Sequence, residues 1–161
     1  MDPQTNRPGK TELEELVFPF GDGGCFGCSK LNPDGLQLRF FRGPSEIDGR
    51  DEIVGTCRVP DRFHGAPGIT HGGIVATILD EFSCAAAVFL AGVRVVTGEL
   101  QVRYERPCPV EREIVVRSRV ASDAHARYLV IEAEMHLGAE RLVRSSGKFF
   151  RQPASGAVVT P

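Results

Sequence analysis

Asp80 is the residue whose setting most strongly indicates chemistry. Between positions 74 and 91 the only charged side chains are Asp80 and Glu81, in a stretch whose apolar residues recur at helical spacing. A carboxylate inside an apolar helix costs several kcal/mol unless it is paired, hydrogen-bonded or functional. The residues three and four positions away are small and partly polar, namely Ala76, Thr77, Ser83 and Cys84. This face of the helix is predicted to form a wall of a cavity.

Two glycines at the start of the same helix are the second candidate feature. Residues 67–73, PGITHGG, lead directly into the helix, so Gly72 and Gly73 leave space where its first N–H groups have no partner within the helix. Those groups, at the positive end of the helix dipole, would stabilise an oxyanion that develops on a carbonyl oxygen. A plain glycine-rich turn is the alternative, and the presence of Asp80 favours the catalytic interpretation.

Gly72 and Asp80 are too far apart to act together within one chain. A rise of 1.5 Å per residue separates them by about 12 Å along the helix axis. A two-fold dimer with antiparallel central helices would bring Gly72 of one protomer towards Asp80 of the other and create two equivalent shared sites. We therefore expect a homodimer or a dimer of dimers.

The cysteines and Glu81 are predicted to be structural. Five cysteines, at 25, 28, 57, 84 and 108, are an odd number, and we expect reduced thiols. Cys25 and Cys28 form a Cys-x-x-Cys pair, but no second pair of Cys or His follows at the spacing of a zinc site, so we expect a tight loop without metal. Glu81 lies about 100° around the helix from Asp80, and we predict a salt bridge at an interface for it.

One long helix and a series of strands must position these residues. The helix is predicted over 72–90, with Gly92 as its stop, and a short amphipathic helix between Thr11 and Val17. Strands are predicted at 36–41, 52–59, 93–106, 111–121, 126–137 and 141–151. This order favours an α+β fold, an antiparallel sheet of about five to six strands wrapped around one central helix.

Length and charge limit the remaining possibilities. A chain of 161 residues fits one domain, which we place at 20–151 between an N-terminal tail, 1–19, and a flexible C-terminal tail, 152–161. The 19 basic and 21 acidic residues give a net charge of -2, without the basic excess that nucleic acids or anionic lipids attract. Residues 1–10 are polar, and we see no unbroken run of 18 apolar residues, so we expect a cytoplasmic protein without a membrane span.

Together these motifs resemble a known family. The motifs are Cys-Phe-Gly-Cys at 25–28, Asn-Pro-Asp-Gly-Leu at 32–36, PGITHGG at 67–73 followed by Asp80 and Glu81, Thr-Gly-Glu-Leu at 97–100 and Tyr-Glu-Arg-Pro at 104–107. They are similar to those of hotdog-fold acyl-CoA thioesterases of the phenylacetic-acid-degradation (PaaI-like) type, over roughly residues 20–150. The resemblance implies the hotdog fold and hydrolysis of an acyl-CoA or acyl-carrier-protein thioester to free acid and thiol.

The resemblance also implies roles for individual residues. Gly72 would donate its N–H to the thioester oxygen, and Asp80 of the facing protomer would activate water or attack directly. Thr97 matches a position where such enzymes hold the attacking water with a hydroxyl, and Ser83 competes with it for that role. Such enzymes often carry a polar side chain seven residues before the oxyanion glycine, where this chain has Gly65. His64 would then substitute for it.

The substrate and two rival functions complete the expectations. His64 and His71 are candidates for direct substrate contact, and Arg103 and Arg106 for binding the phosphates of coenzyme A, which is part of the substrate and not a cofactor. One rival is an acyl-CoA-binding regulatory module without turnover. The other is a hotdog hydratase or dehydratase acting on an enoyl thioester, which should pair its acid with a histidine.

Overall fold

A sheet packed against one long helix makes up the part of the chain that the computed structural model describes, which is residues 13–20, 23–45 and 47–153. Its helix α1 spans Gly72–Ala91 and follows a single 3-10 turn at Asp61–Phe63. The strands are β1 (Glu15–Leu16), β2 (Phe40–Pro44), β3 (Asp51–Arg58), β4 (Val95–Tyr104), β5 (Glu113–Ser122), β6 (Tyr128–Leu137) and β7 (Glu140–Arg151).

The sheet is antiparallel throughout these residues, in the order β1-β2-β3-β5-β6-β7-β4. Alternate residues of its central strands, such as Ile114 on β5 and Ile131 on β6, are fully buried against α1. This alternation is what a sheet with one face on the core requires. The expected α+β architecture is confirmed, but the described sheet has seven strands instead of five to six.

Helix α1 begins at the predicted residue and ends at Ala91, one residue beyond the predicted end and directly before the predicted stop at Gly92. His71 is its N-cap, and Gly92 ends it in the left-handed conformation, with φ of 69°, which glycine adopts without strain. By length and composition alone α1 could cross a membrane, because an 18-residue window has a mean hydropathy of 1.9. In this fold its apolar residues instead form the core, with Ile78, Leu79 and Phe82 all 0% exposed. A core helix that is covered by a sheet can have the same apolar composition as a membrane-spanning helix.

The structure corrects two predictions near the N-terminus. Leu16 pairs with Phe40 of β2, so a two-residue strand stands where a helical turn was predicted, and the sheet begins inside the predicted tail. The predicted strand 36–41 starts only at Phe40, because the Leu36 and Leu38 amides donate to the loop that carries the two N-terminal cysteines. Gln37 between them has a φ of 49°, which interrupts the strand. The predicted C-terminal tail lies outside the described residues from position 154 onward.

Strand β4 forms an edge of the sheet. It pairs with β7 from Val95↔Arg151 to Tyr104↔Val143, and among the described strands none pairs with its other side. The register shifts between Thr97 and Glu99, at a bulge. A ten-residue edge strand presents unpaired N–H and C=O groups, which a strand of a second molecule can pair with.

Candidate active site

Asp80 faces β4 from the middle of α1. The Thr97 hydroxyl donates a hydrogen bond to Oδ1 of Asp80 at 2.6 Å. Burial raises the pKa of the Asp80 carboxyl above its usual range, and the hydrogen bond from Thr97 opposes that rise. A carboxylate whose pKa is raised towards neutral pH accepts a proton more readily, which suits a general base. The pair therefore provides a base beside a hydroxyl that can orient a water molecule.

Of the two hydroxyl residues predicted to compete for this position, only Thr97 contacts Asp80 among the described residues. Ser83 is 0% exposed, and its hydroxyl donates to the Leu79 carbonyl at 2.7 Å within α1. A buried hydroxyl that is already bonded to its own helix cannot hold a water in an open site. Within this chain the Ser83 hydroxyl is therefore engaged inside α1, and its catalytic role stays a prediction.

The N-terminus of α1 leaves one amide available. The Gly73 N–H donates to Nδ1 of His71 at 3.0 Å, and the amides of Ile74 and Val75 donate to the His71 carbonyl. The Gly72 N–H donates to no acceptor within the described part of the protein, and Gly72 is exposed. This amide at the positive end of the helix can donate to a ligand oxygen.

His71 and His64 differ in how their ring nitrogens are engaged. Nδ1 of His71 caps the helix, which leaves Nε2 as its group for a ligand. Nδ1 of His64 lies 2.6 Å from the Asp61 carbonyl, so this nitrogen is engaged in the 3-10 turn. A side chain at Gly65 would contact the Cα of His71 at 3.2 Å, so position 65 lies against the helix cap. The structure brings His71 to Gly72, whereas His64 bonds away from it.

Strand β4 runs beside both functional positions of α1. Thr97, near its start, contacts Asp80, and Tyr104, at its end, donates a hydrogen bond to the Gly72 carbonyl at 2.7 Å. Strand and helix are thus antiparallel, and both candidate groups lie along the open edge of the sheet. The helical rise still keeps Gly72 and Asp80 about 12 Å apart within one chain.

Sequence reasoning missed two residues at this edge. Tyr104 binds the carbonyl of the same residue whose N–H is the oxyanion candidate, and the only signal for it is its place in the Tyr-Glu-Arg-Pro motif at the end of β4. Sγ of Cys84 lies 3.9 Å from Oγ1 of Thr97, and burial raises the pKa of the Cys84 thiol to about 12. A thiol with that pKa stays protonated at neutral pH and acts as a small apolar wall of the site.

The two arginines predicted to bind coenzyme A differ in availability. Nε of Arg106 lies 2.7 Å from Glu140, in an exposed ion pair. Arg103 is exposed on β4, opposite Arg144 of β7, at one margin of a cavity of about 550 Å³ on the sheet. Arg103 therefore remains a candidate phosphate ligand, whereas Arg106 must exchange its partner to become one.

Glu81 faces a different part of the chain from Asp80. The Cys25 thiol donates to its Oε1 at 3.3 Å, and the sulfur atoms of Cys25 and Cys28 and a carboxylate oxygen of Glu81 lie within 4.8 Å of one another. Burial and the nearby Glu81 carboxylate raise the pKa of the Cys28 thiol. The structure thus corrects the premise that Cys25 and Cys28 lack a further ligand. It places Glu81 beside these thiols, and a salt bridge of Glu81 at an interface stays a prediction.

Comparison with known proteins defines the class of this fold and site. Residues 67–144, which include both Gly72 and Asp80, match the family model described as Thioesterase superfamily. These residues are similar to a thioesterase superfamily domain, and the predicted resemblance to hotdog thioesterases is confirmed. The PaaI-like subtype stays a prediction.

Particular relatives are similar over part of their length. The chain is 43% identical to "Acyl-coenzyme A thioesterase THEM4" of Xenopus laevis over 90 residues, which cover 56% of this chain and 39% of the relative. The chain thus spans well under half the length of this curated relative.

Solved structures confirm the fold. A crystal structure of a thioesterase superfamily protein has a TM-score of 0.62 at 23% identity, covering 73% of this chain and 55% of that one. The crystal structure of smu.793 from Streptococcus mutans UA159, bound to acetyl CoA, has a TM-score of 0.59 at 14% identity, covering 71% and 88%. At these identities the two structures establish the hotdog fold.

Proposed function

We propose that this protein hydrolyses an acyl-CoA thioester to the free acid and coenzyme A, at sites shared by two protomers. The observation that carries the proposal is the 2.6 Å hydrogen bond between Thr97 and the half-buried Asp80 carboxylate at the open edge of the sheet. The available Gly72 amide lies along the same edge. A base and an oxyanion donor are the two groups that thioester hydrolysis requires.

The reaction follows from these positions. Asp80 accepts a proton from a water molecule that Thr97 orients, and the water oxygen attacks the thioester carbon. The Gly72 N–H stabilises the negative charge that develops on the carbonyl oxygen. When the intermediate collapses, the C–S bond breaks and the proton held by Asp80 passes to the departing thiolate. In the alternative, the Asp80 carboxylate attacks the thioester carbon directly and the C–S bond breaks, which expels the thiolate. Water then hydrolyses the resulting anhydride, restores the Asp80 carboxylate and supplies the proton for the thiolate.

The position of β4 favours a shared site. Antiparallel pairing of two β4 strands about a two-fold axis between Leu100 and Gln101 would set Thr97 of one copy opposite Tyr104 of the other. Because Thr97 contacts Asp80 and Tyr104 contacts Gly72, this pairing directs the base of one copy towards the oxyanion donor of its partner. A homodimer, alone or within a dimer of dimers, is the assembly we propose.

The substrate assignment rests on different support. Similarity to the protein named Acyl-coenzyme A thioesterase THEM4, and to a fold neighbour bound to acetyl CoA, favours a coenzyme A thioester. Arg103 is the side chain we propose for a phosphate of coenzyme A, and Arg106 for a second contact after it leaves Glu140. Asp80 and Gly72 supply the base and the electrophilic assistance, so we propose hydrolysis without a cofactor.

Within one protomer the hydratase alternative lacks its second catalytic group. Among the described residues no histidine contacts Asp80, since His64 bonds to Asp61 and His71 to Gly73. A purified-protein assay with short, long and aromatic acyl-CoAs, followed by release of free thiol, tests the proposal. Turnover of at least one acyl class supports hydrolysis. Saturable binding of acyl-CoA without thiol release would instead identify the non-catalytic binding module.

A mixing experiment tests the shared site. Asp80→Asn removes the base, and Gly72→Pro deletes the donating N–H, so each variant alone is expected to be inactive. A mixed dimer has one site with both defects and one with neither, and its activity should recover towards half of the wild-type value per dimer. Subunit exchange is first verified with differently tagged chains, and folding of the proline variant by circular dichroism. Mixed dimers that form and remain inactive would contradict a site built from two protomers.

A further inference from the structure

A cluster of two thiols and a carboxylate lies where the N-terminal loop meets α1. The thiols belong to the loop, and the carboxylate belongs to the helix residue that follows Asp80. The participating atoms, Sγ of Cys25, Sγ of Cys28 and a carboxylate oxygen of Glu81, are all within 4.8 Å of one another. We propose that these three side chains bind a Zn²⁺ ion, which fastens the N-terminal loop to helix α1. The inference is independent of the proposed hydrolysis.

The spacing of the three atoms fits a tetrahedral ion. Zinc binds thiolate at about 2.3 Å and carboxylate oxygen at about 2.0–2.2 Å, so ligand atoms at tetrahedral angles lie roughly 3.5–3.8 Å from one another. Sγ of Cys25 is 3.3 Å from Oε1 of Glu81, and the remaining pairs fall within 4.8 Å. Side-chain shifts of a few tenths of an ångström to about 1 Å complete the site. Water would occupy the fourth position.

The loop is shaped around the Glu81 side chain. A Cβ at Gly27, between the two cysteines, would collide with the Cγ and Cδ atoms of Glu81. The amide of Gly27 donates to Sγ of Cys25 at 3.3 Å, which holds this sulfur against the loop backbone. The absence of a side chain at position 27 therefore allows the carboxylate to reach both sulfur atoms.

Backbone hydrogen bonds hold this loop in place before any ion binds. The Leu36 amide donates to the Phe26 carbonyl at 2.8 Å, and the Leu38 amide donates to the Gly27 carbonyl at 2.9 Å. A side chain at Gly35 would approach the Phe26 carbonyl oxygen at 2.5 Å, so this second contact also depends on a glycine. Ligands fixed on a braced loop and on a helix lose little conformational freedom when they bind a metal.

The chemistry of the ligands selects the ion. Two thiolates and one carboxylate suit Zn²⁺, whereas Mg²⁺ and Ca²⁺ require oxygen ligands. Within the described ranges Glu81 forms no ion pair with a lysine or arginine, so no such side chain competes for its carboxylate. The ion would join residues that are 56 positions apart in sequence and would fix the loop against α1.

Metal analysis of the full chain, purified under reducing conditions without a chelator, tests the inference. We expect about one zinc per chain by mass spectrometry, and about one Co²⁺ after exchange, with the near-ultraviolet absorption of cobalt–thiolate bonds. Cys25→Ser, Cys28→Ser and Glu81→Gln should each lose the metal, because each removes a ligand. Cys57→Ser, on β3, is the matched control and should retain it.

A glycine pair separates a built site from adventitious binding by thiols. Gly27→Ala leaves all three ligands in place but displaces Glu81, and it should weaken zinc binding by about 10- to 100-fold. Gly23→Ala, in the same loop with nothing within 4 Å of its Cβ, should bind zinc like the wild type. Equal zinc affinity in these two variants would overturn the proposal. The proposal would also be overturned if reduced wild-type protein took up no zinc when titrated. This holds even if the protein carried a Cys25–Cys28 disulfide before it was reduced.

Discussion

Asp80 and Glu81 are neighbours in sequence, yet they meet entirely different parts of the molecule. Asp80 contacts Thr97 of the edge strand β4, whereas Glu81 contacts Cys25 in the N-terminal loop. A helical step of about 100° accounts for the separation. Both carboxylates are half-buried on the same helix, so burial alone does not distinguish them.

The difference lies in what each carboxylate can reach. The partner of Asp80 is a hydroxyl at an open edge of the sheet, where the proposed substrate and second protomer would have access. The partners of Glu81 are thiols on a loop that packs closely around it. One helix can thus provide a catalytic face and a structural face, because adjacent residues point in different directions.

The largest expected effect tests this division directly. Asp80→Asn should lower kcat for thioester hydrolysis on the order of 10²-fold or more, because it removes the base or nucleophile. Glu81→Gln keeps the size of its side chain and should change kcat far less. Steady-state kinetics on the best acyl-CoA substrate measure both variants. Equal losses of activity would mean that the two carboxylates do not have separate roles.

Thr97→Val should have a smaller effect with a distinct signature. The hydrogen bond from Thr97 lowers the pKa of Asp80, so its loss should raise that pKa further. The acidic limb of the kcat/KM profile should then move to higher pH, and activity at neutral pH should fall roughly 10-fold, as expected for losing a hydrogen bond to a charged group. Ser83→Ala deletes the other hydroxyl, which is bonded within α1, and should leave the profile in place. A Thr97→Val profile with an unmoved acidic limb would contradict the contact.

Sequence reasoning predicted those parts of the fold that local patterns determine. The helix from Gly72 to Gly92 follows from apolar spacing and a terminal glycine, and β4 to β7 follow from alternation and turn residues. The face of Asp80 followed from the same helical period. The general architecture could therefore be predicted from local patterns, whereas the family was predicted only from the resemblance of its motifs.

The remaining features depend on contacts between distant residues. No local signal places Cys25 beside Glu81, because the two lie 56 positions apart. Leu36 and Leu38 have the alternation of a strand, but their amides bond to the cysteine loop, which delays β2 to Phe40. Between Thr97 and Ser83, only the packing of β4 on α1 decides which hydroxyl reaches Asp80.

Tyr104→Phe tests the contact between the end of β4 and the start of α1, and it should lower kcat/KM modestly. It removes one hydrogen bond to the Gly72 carbonyl from a side chain that is 51% exposed. Such a bond contributes about 0.5–1.5 kcal/mol net, so kcat/KM should fall roughly 2- to 10-fold through looser placement of the Gly72 amide. Tyr128→Phe, which alters the second of the two tyrosines, is the control. A Tyr104→Phe enzyme with unchanged kcat/KM would remove Tyr104 from the positioning of the oxyanion donor.

The smallest expected effect is on stability, and its sign depends on pH. Because the folded-state pKa of Asp80 is raised above 3.8, ionisation of this carboxyl opposes folding. The destabilisation is absent below pH 3.8, grows as pH rises through the folded-state pKa, and is then constant. Asp80→Asn removes it, so the unfolding free energy of the variant should increase relative to the wild type as pH rises from about 4.

Glu15→Gln is the control for that sign, because its carboxylate has the opposite shift. Hydrogen bonds from Arg39 and Lys30 lower the pKa of Glu15 from 4.5 to about 2, so its ionised form favours the folded state at pH above 4.5 and this contribution is lost as pH falls towards 2. Relative to the wild type, Glu15→Gln should therefore become less stable as pH rises through this range, whereas Asp80→Asn should become more stable. Urea unfolding of the three proteins in parallel measures both slopes, and comparison at equal pH cancels the other titrating groups. The change of unfolding free energy with pH for Glu15→Gln should be small and should weaken with salt. The side chain of Glu15 is 21% exposed, but its partners Lys30 and Arg39 are each 57% exposed, so solvent and salt screen the ion pairs. If both variants instead became less stable than the wild type as pH rises, the fold would stabilise the ionised form of Asp80. That is the reverse of the setting that suits a general base.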